Sequence, residues 1–273
     1  MSTAGVTIFG VLNVTRDSFS DGGRWLEPTA AIDHAGEMLR DGADVIDAGA
    51  ASSHPEAEPV TVAEEIRRLE PVLRALTGSG ASVSVDSCQI EVQRYAIGAG
   101  ASWLNDIRGF CEPGFYGELA ACRARLILMH SITGAARATR EHTEPAAVLA
   151  SIDRFFDARV EALVSAGIDR GRLVLDPGMG LFLGADPEPS VAVLRDLPRL
   201  CSRYRLPVMI SVSRKSVVGR LAGRDPGRRE AASLAAELYA IERGATLIRT
   251  HEPRLLRDAL AVLAALRESD KRP

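Results

Sequence analysis

Eight short apolar runs recur along the chain, separated by longer segments whose apolar residues return every three or four positions. The runs are Val6 to Leu12, Val45-Ile46, Ser82 to Val85, Trp103-Leu104, Leu126 to Met129, Leu173 to Leu175, Val208 to Ile210 and Thr246 to Ile248. Short apolar runs bounded by polar or turn residues read as buried strands, and the three-to-four spacing reads as helices with one apolar face. Helical stripes fall at Ile32, Ala35 and Leu39, at Ile66, Leu69, Leu73 and Leu76, and at Ile152, Phe156, Val160 and Leu163. Further helices are expected over Ile90 to Ile97, Ser190 to Tyr204, Glu230 to Glu242, and after Pro253 with Leu256, Leu260 and Leu263 inward. Phe115 to Cys122 is only weakly patterned. Thr61-x-x-Glu64 is a capping box, in which hydroxyl and carboxylate can each satisfy a free helix-end amide. Pro71, inside the second helix, is expected to kink it.

Eight strand-then-helix units without a composition break predict a single-domain (β/α)8 TIM barrel, an α/β fold spanning residues 1–273. An open doubly wound sheet would want a Gly-x-Gly-x-x-Gly turn after a strand, and none is present.

Each run ends on a residue that can bond or carry charge: Asn13, Asp47, Asp86, Asn105, His130, Asp176, Lys215, and Arg249 with His251. Strand ends are often polar for solvation alone, but a barrel converges them on one mouth, where ligands bind. Residues two apart in a strand share a face, so Arg249 and His251 are expected to point together, as are Ser213 and Lys215 if the seventh strand reaches that far. A guanidinium, an imidazole and an ammonium in one mouth suit a phosphate or pyrophosphate. Asp86 and Asp176 can each pair parallel N–H donors of a guanidine-like heterocycle, and Asn105 can match such a ring edge-on. Asn13 brings an oxygen suited to Mg2+, provided a phosphorylated substrate supplies most of the remaining ligands.

Composition narrows this further. A chain of 273 residues, 46% hydrophobic, can bury one large core. Its net charge of −3 gives no general attraction to nucleic acid or to a membrane surface, so an anionic ligand must be held locally. Cys88, Cys111, Cys122 and Cys201 form no pair or metal-ligand spacing and read as reduced thiols of a cytoplasmic protein. The N-terminus lacks a signal-peptide pattern, and no apolar run approaches the roughly 18 residues of a membrane span. The residues alone indicate a barrel enzyme acting on a planar heterocycle that bears phosphates.

The wording of the strand ends resembles dihydropteroate synthase over nearly the whole chain. The matching stretches are Gly10 to Gly23, Val45-Ile46-Asp47 with Gly49, Val85-Asp86-Ser87 and Leu104-Asn105-Asp106. Leu175-Asp176-Pro177-Gly178, Ser213-Arg214-Lys215-Ser216 and Ile248-Arg249-Thr250-His251 complete them. The resemblance implies joining of 6-hydroxymethyl-7,8-dihydropterin diphosphate to 4-aminobenzoate with release of pyrophosphate, in a homodimer that uses Mg2+. It implies a pterin site at Asp86, Asn105, Asp176, Lys215 and Arg249, of which Asp86, Lys215 and Arg249 are the catalytic candidates. Asn13, Arg249 and His251 would hold the pyrophosphate, with Asn13 on the metal. The 4-aminobenzoate region would be Phe19, Ser53, His54, Leu181, Phe182 and Ser216, under a lid from Arg16 to Gly23. A methyltransferase on the same barrel would have little use for Arg249 and His251 as a clamp, and a mere pterin binder little use for the Asn13, Lys215, Arg249 and His251 set.

The chain departs from the common family pattern at several positions. Ala51-Ser52-Ser53-His54-Pro55 stands where Glu-Ser-Thr-Arg-Pro is usual, which leaves the missing arginine's role to His54. Arg16 replaces proline, Ser211 a glycine, and Leu181-Phe182-Leu183 a Phe-Gly-Lys pattern. These changes resemble the mobile sulfonamide-resistant synthases and lead to an expectation of sulfonamide insensitivity.

Overall fold

A computed structural model describes residues 5–15, 27–53, 57–134 and 138–269. Among these residues are eight strands: β1 (Thr7–Asn13), β2 (Val45–Gly49), β3 (Val83–Asp86), β4 (Trp103–Asp106), β5 (Arg125–Met129), β6 (Leu173–Asp176), β7 (Met209–Ile210) and β8 (Leu247–Thr250). Their ladders are parallel and run in the order β6-β5-β4-β3-β2-β1-β8-β7. A bridge between Leu175 and Val208 joins the two ends of the sheet, with the Leu175 amide donating to the Pro207 carbonyl at 2.9 Å. The result is the expected TIM barrel.

The helices are α1 (Pro28–Arg40), α2 (Val62–Gly78), α3 (Ile90–Gly98), α4 (Tyr116–Ala121), α5 (Pro145–Ser165), α6 (Pro187–Tyr204), α7 (Ser216–Ala222), α8 (Glu230–Glu242) and α9 (Pro253–Ser269). The short α7, whose Val217 and Val218 are buried, has no periodic signal long enough to read from sequence. Helix α2 runs unbroken through Pro71. Burial of Leu69, Val72, Leu73 and Leu76 offsets the one hydrogen bond the proline cannot make. Its capping box is half realised. The Thr61 hydroxyl accepts the Glu64 amide at 3.3 Å, whereas the Glu64 carboxylate turns away to Arg67 and Arg68, at 2.7 Å from each.

Two-residue alternation divides each strand between the barrel interior and the helices outside. Phe9, Val45, Trp103, Ile127, Val174, Met209 and Leu247 form one buried cluster, a single residue from each of seven strands. The next inward residue toward the carboxyl end lies two positions on. That places Asp47, Asn105, Met129, Asp176, Ser211 and Arg249 in the layer above, with Asp86 following Ser84 on β3. Residues of the opposite phase serve the outside. His130 faces α5, with Nδ1 3.2 Å from the Pro177 carbonyl and Nε2 3.0 Å from the Ser151 hydroxyl. Burial pushes its pKa down to about 4. The expectation that His130 joins the mouth is therefore corrected: Met129 occupies the inward position.

The turn after β6 is sterically fixed. Gly178 has φ +77°, and a Cβ there would stand 2.4 Å from the His130 carbonyl oxygen. Its amide donates to Asp176 Oδ1 at 2.8 Å. Gly178→Ala is expected to destabilise the barrel by about 1–3 kcal/mol, the usual size of a forced backbone strain. Urea unfolding reads this directly, and an unshifted midpoint would contradict it.

Candidate active site

A pocket of about 310 Å3 opens at the carboxyl end of the strands. Asp86, Asn105, Asp176, Lys215 and Arg249 all line it, as do Ser53 and Phe182. The sequence-predicted heterocycle site is thus brought together from β3, β4, β6, β8 and the turn after β7.

Arg249 ties the floor of this pocket. Its Nε donates to Asp47 Oδ2 at 2.5 Å and its Nη2 to Asp86 Oδ2 at 2.9 Å. Asp47 has no solvent exposure, and its Oδ2 also accepts from Asn105 Nδ2 at 3.4 Å. The Asn105 side chain is thereby turned with its amide nitrogen toward Asp47. Asn105 Oδ1 is buried and has no partner among the described residues. An unmatched acceptor costs free energy unless a ligand supplies a donor, so this oxygen marks a recognition point. Asp47 was expected only as a polar strand end. It is the buried anchor of the site's arginine.

The carboxylates and cations hold each other's protonation states. Burial opposes the Arg249 charge, but Asp47 and Asp86 outweigh it and its pKa moves up. Enclosure in the cleft pushes Asp86 up to about 7, against the pull of Arg249 and with Asp47 and Glu65 adding to the rise. Burial raises Asp176 as well, countered by Lys215, the Gly178 amide and Arg249. Burial lowers Lys215 to about 8, and Asp176 resists the fall.

Strand β7 stops at Ile210, so Ser213 and Lys215 do not alternate along it as expected. A turn carries the chain instead: the Lys215 amide bonds the Val212 carbonyl at 3.2 Å, and Arg214 has φ +56°. Helix α8 holds that turn through Ser233 Oγ, which accepts the Arg214 amide at 2.9 Å, and Arg229, which donates to the Arg214 carbonyl at 3.0 Å. The Arg214 guanidinium pairs with Glu252. Lys215 reaches the pocket from the N-cap of α7 and lies 4.8 Å from the centroid of the Phe182 ring, a cation–π contact.

Asn13, His251, Leu181 and Ser216 stand beside the pocket lining rather than in it. Asn13 ends β1 opposite Gly49, and half-buried Ser216 opens α7. His251 follows β8, its Nδ1 3.1 Å from the Ser213 hydroxyl. Burial and the positive charges of Arg214, Arg249 and Lys215 keep its pKa well below the ordinary value, so the ring is neutral. Phe19, His54 and the proposed lid residues Arg16 to Gly23 lie outside the described residues.

The loop after β5 laces the neighbouring loops. Its Ile132, Ala138 and Thr139 amides donate to the carbonyls of Phe182, Ser53 and Leu181 at 2.9, 3.1 and 2.9 Å. Backbone bonds therefore fix two of the stretches at which the sequence departs from the family pattern, at Ser53 and at Leu181-Phe182. The sequence reading missed Glu65. It lines the pocket from α2 with 1% exposure, one oxygen unpaired among the described residues, and burial raises its pKa. A charged residue on the apolar phase of a helical stripe is the signal that could have revealed it.

A barrel whose mouth combines paired carboxylates, an amide and part-buried cations is a site for a polar heterocycle. The family model described as "Pterin binding enzyme" matches residues 9–251. The chain is 55% identical over 262 residues to dihydropteroate synthase type-2 of Escherichia coli, covering 96% of each chain. It superposes on the Xanthomonas albilineans dihydropteroate synthase with 4-aminobenzoic acid at a TM-score of 0.86 and 37% identity, covering 100% of this chain and 96% of that one. The complex of the Xanthomonas albilineans enzyme with 7,8-dihydropteroate gives a TM-score of 0.84 at 37% identity, covering 100% and 97%. The chain belongs to the dihydropteroate synthases, the alkyl-transferring enzymes of folate biosynthesis. No helix among the described residues is long and apolar enough to cross a membrane.

Lys215 carries its proton below about pH 8 and loses it above. If the ammonium is the working form, kcat/KM falls as pH rises through that value. Lys215→Arg, which stays charged, is expected to lose activity at pH 7 but to abolish this alkaline limb. A limb unchanged in the arginine variant would exclude Lys215 as its source.

Proposed function

We propose that the enzyme ionises 6-hydroxymethyl-7,8-dihydropterin diphosphate and then joins the pterin methylene carbon to the amine of 4-aminobenzoate, releasing pyrophosphate. The observation that carries this is the Asp47–Arg249–Asp86 bridge beside Asp176, Asn105 and Lys215 in one pocket. Asp176 pairs the guanidine-like edge of the pterin, Asn105 Oδ1 accepts from a ring N–H, and Lys215 donates to a ring acceptor. Asp86 lies on the side where positive charge develops as the carbon–oxygen bond breaks, and stabilises it. Arg249 and neutral His251 donate to the departing pyrophosphate. An aniline nitrogen is a weak nucleophile, so an electrophile ionised before attack suits it. No covalent enzyme intermediate is needed, and Lys215 serves as a charged donor rather than a Schiff-base former.

The described residues contain no group of three His, Cys, Asp or Glu side chains placed to hold a metal. The Asn13 amide at the end of β1 is instead a single hard-oxygen donor. That fits Mg2+ arriving on the diphosphate, with Asn13 as its protein ligand. When bound, the ion would neutralise leaving-group charge. Ser53, His54, Leu181, Phe182 and Ser216 form the 4-aminobenzoate side, with Phe19 on the covering loop. The enzyme works in the cytoplasm as a homodimer in this reading.

Sulfonamide insensitivity follows from the same side of the site. In this reading the Phe182 ring, whose backbone carbonyl is held by the Ile132 amide, narrows the carboxylate end of the 4-aminobenzoate site, opposite its amine, where a sulfonyl group is bulkier than a carboxylate. A discrimination of about 1000-fold needs only roughly 4 kcal/mol.

The test is pyrophosphate release on mixing enzyme, pterin diphosphate and Mg2+, with and without 4-aminobenzoate. Release that depends on 4-aminobenzoate supports the transferase, and no release overturns it. Asn13→Ala is expected to weaken the Mg2+ dependence of release, and Phe19→Ala to raise chiefly the KM for 4-aminobenzoate. If both leave turnover untouched, the first loop has no such role. Sulfamethoxazole is expected to inhibit about 1000-fold less than it inhibits a sensitive synthase. Equal inhibition would remove the resistance proposal.

A further inference from the structure

One polar network behind the pocket is unexplained by the chemistry above. Glu237 of α8 has 2% exposure, and one of its oxygens has no partner among the described residues. Its carboxyl is influenced by the Thr250 side chain, whose outward phase on β8 turns the hydroxyl toward α8. Thr250 Oγ1 lies 3.4 Å from Ser213 Oγ and accepts the Glu252 amide at 3.2 Å. Ser213 Oγ accepts the His251 backbone amide at 3.1 Å and stands 3.1 Å from His251 Nδ1. A file of hydroxyls thus joins a buried acid to the imidazole.

Each hydroxyl owns one proton, so the file can run in only two directions. If Glu237 donates, Thr250 donates to Ser213, Ser213 donates to Nδ1, and the imidazole proton sits on Nε2. If Glu237 only accepts, every arrow reverses, Nδ1 carries the proton, and Nε2 becomes a lone pair. The Thr250 hydroxyl is placed to donate to Ser213 Oγ at 3.4 Å, which is the first direction. Only the first is compatible with a pyrophosphate at His251, because an Nε2 lone pair would face anionic oxygens.

We infer that Ser213 is a positioning residue, which, fed by Glu237 through Thr250, holds His251 as the Nε2–H tautomer that donates to pyrophosphate. Two features favour this direction. Burial, opposed by Thr250 and aided by Glu252, pushes the Glu237 carboxyl up to about 7, which favours its proton-bearing form. Arg214, Arg249, Lys215 and His34 are the charged or titratable groups acting on His251, and with its burial they hold the ring neutral, so that it has a tautomer to choose. Nε2 itself has no hydrogen-bond partner among the described residues. The inference rests on the reading of His251 as a pyrophosphate contact, but its main readout does not.

The experiment is a two-bond 15N–1H correlation of the 15N-histidine-labelled full chain at pH 6.5, with His251 assigned by difference against His251→Gln. The wild type is expected to show protonated Nε2 and unprotonated Nδ1. Ser213→Ala is expected to give an averaged tautomer signal. Glu237→Leu, which keeps the volume but cannot donate, is expected to do the same, whereas Glu237→Gln, whose amide can donate, is expected to restore the wild-type pattern. Thermal unfolding confirms which variants are folded, and Glu237→Leu stands in if Ser213→Ala is not. A tautomer pattern unchanged in both Ser213→Ala and Glu237→Leu, or an Nδ1–H wild type, overturns the inference. In parallel, the KM for pterin diphosphate is expected to rise about tenfold in Ser213→Ala, the loss of about one hydrogen bond, with kcat changed less. A changed tautomer with an unchanged KM would leave the positioning role standing and refute the phosphate role of His251.

Discussion

The site depends on one part-buried cation held between two carboxylates. Arg249 comes from the last strand of the barrel, Asp47 from the second and Asp86 from the third. The contacts span more than 160 positions of sequence, so closing the barrel is what creates them. Asp47 cannot exchange its arginine for water, because it has no exposed surface. With that carboxylate spent on Arg249, Asp86 is left facing the pocket with its charge only partly balanced. Asn105 is oriented by the same Asp47 oxygen. A single buried carboxylate therefore arranges an arginine, an amide and, through the arginine, a second carboxylate. Buried pairs of this kind are weak sources of net stability but costly to break, which suits a fixed geometry more than a stable fold.

Much of this was legible because a parallel barrel has a strict two-residue phase. Given Trp103 in the interior, Asn105 must face the mouth, and the same holds for Val174 with Asp176 and Leu247 with Arg249. That phase also corrects the sequence reading. Ile127 inward means Met129 inward, so His130 belongs to the helix side, a conclusion the residues alone could have supplied. Thr250 follows the same rule, and its outward phase is what brings it to α8. Polarity at a strand end is thus a weaker signal than polarity in the right phase.

Where strands end, phase stops helping. Lys215 enters the pocket because Arg214 takes a positive φ and α8 grips the turn through Ser233 and Arg229. No local pattern encodes that tertiary grip. The family resemblance identified Lys215, whereas the strand argument reached it through an extension beyond Ile210 that does not exist. Glu65 drew no reading from the sequence, because its burial against the pocket depends on how α2 packs. Backbone lacing of Ser53, Leu181 and Phe182 by the loop after β5 is invisible to sequence, because carbonyl acceptors carry no residue code.

The most direct test of this account is steady-state kinetics of Asp47→Asn with pterin diphosphate. Asp47 lines no part of the pocket, so any effect must pass through Arg249 and Asn105. The account predicts a folded enzyme whose kcat/KM falls by about 100-fold, within the range for removing one partner of a buried hydrogen-bonded charge pair. A variant with kcat/KM within about twofold of wild type would contradict it, since that is below the loss of even one ordinary hydrogen bond.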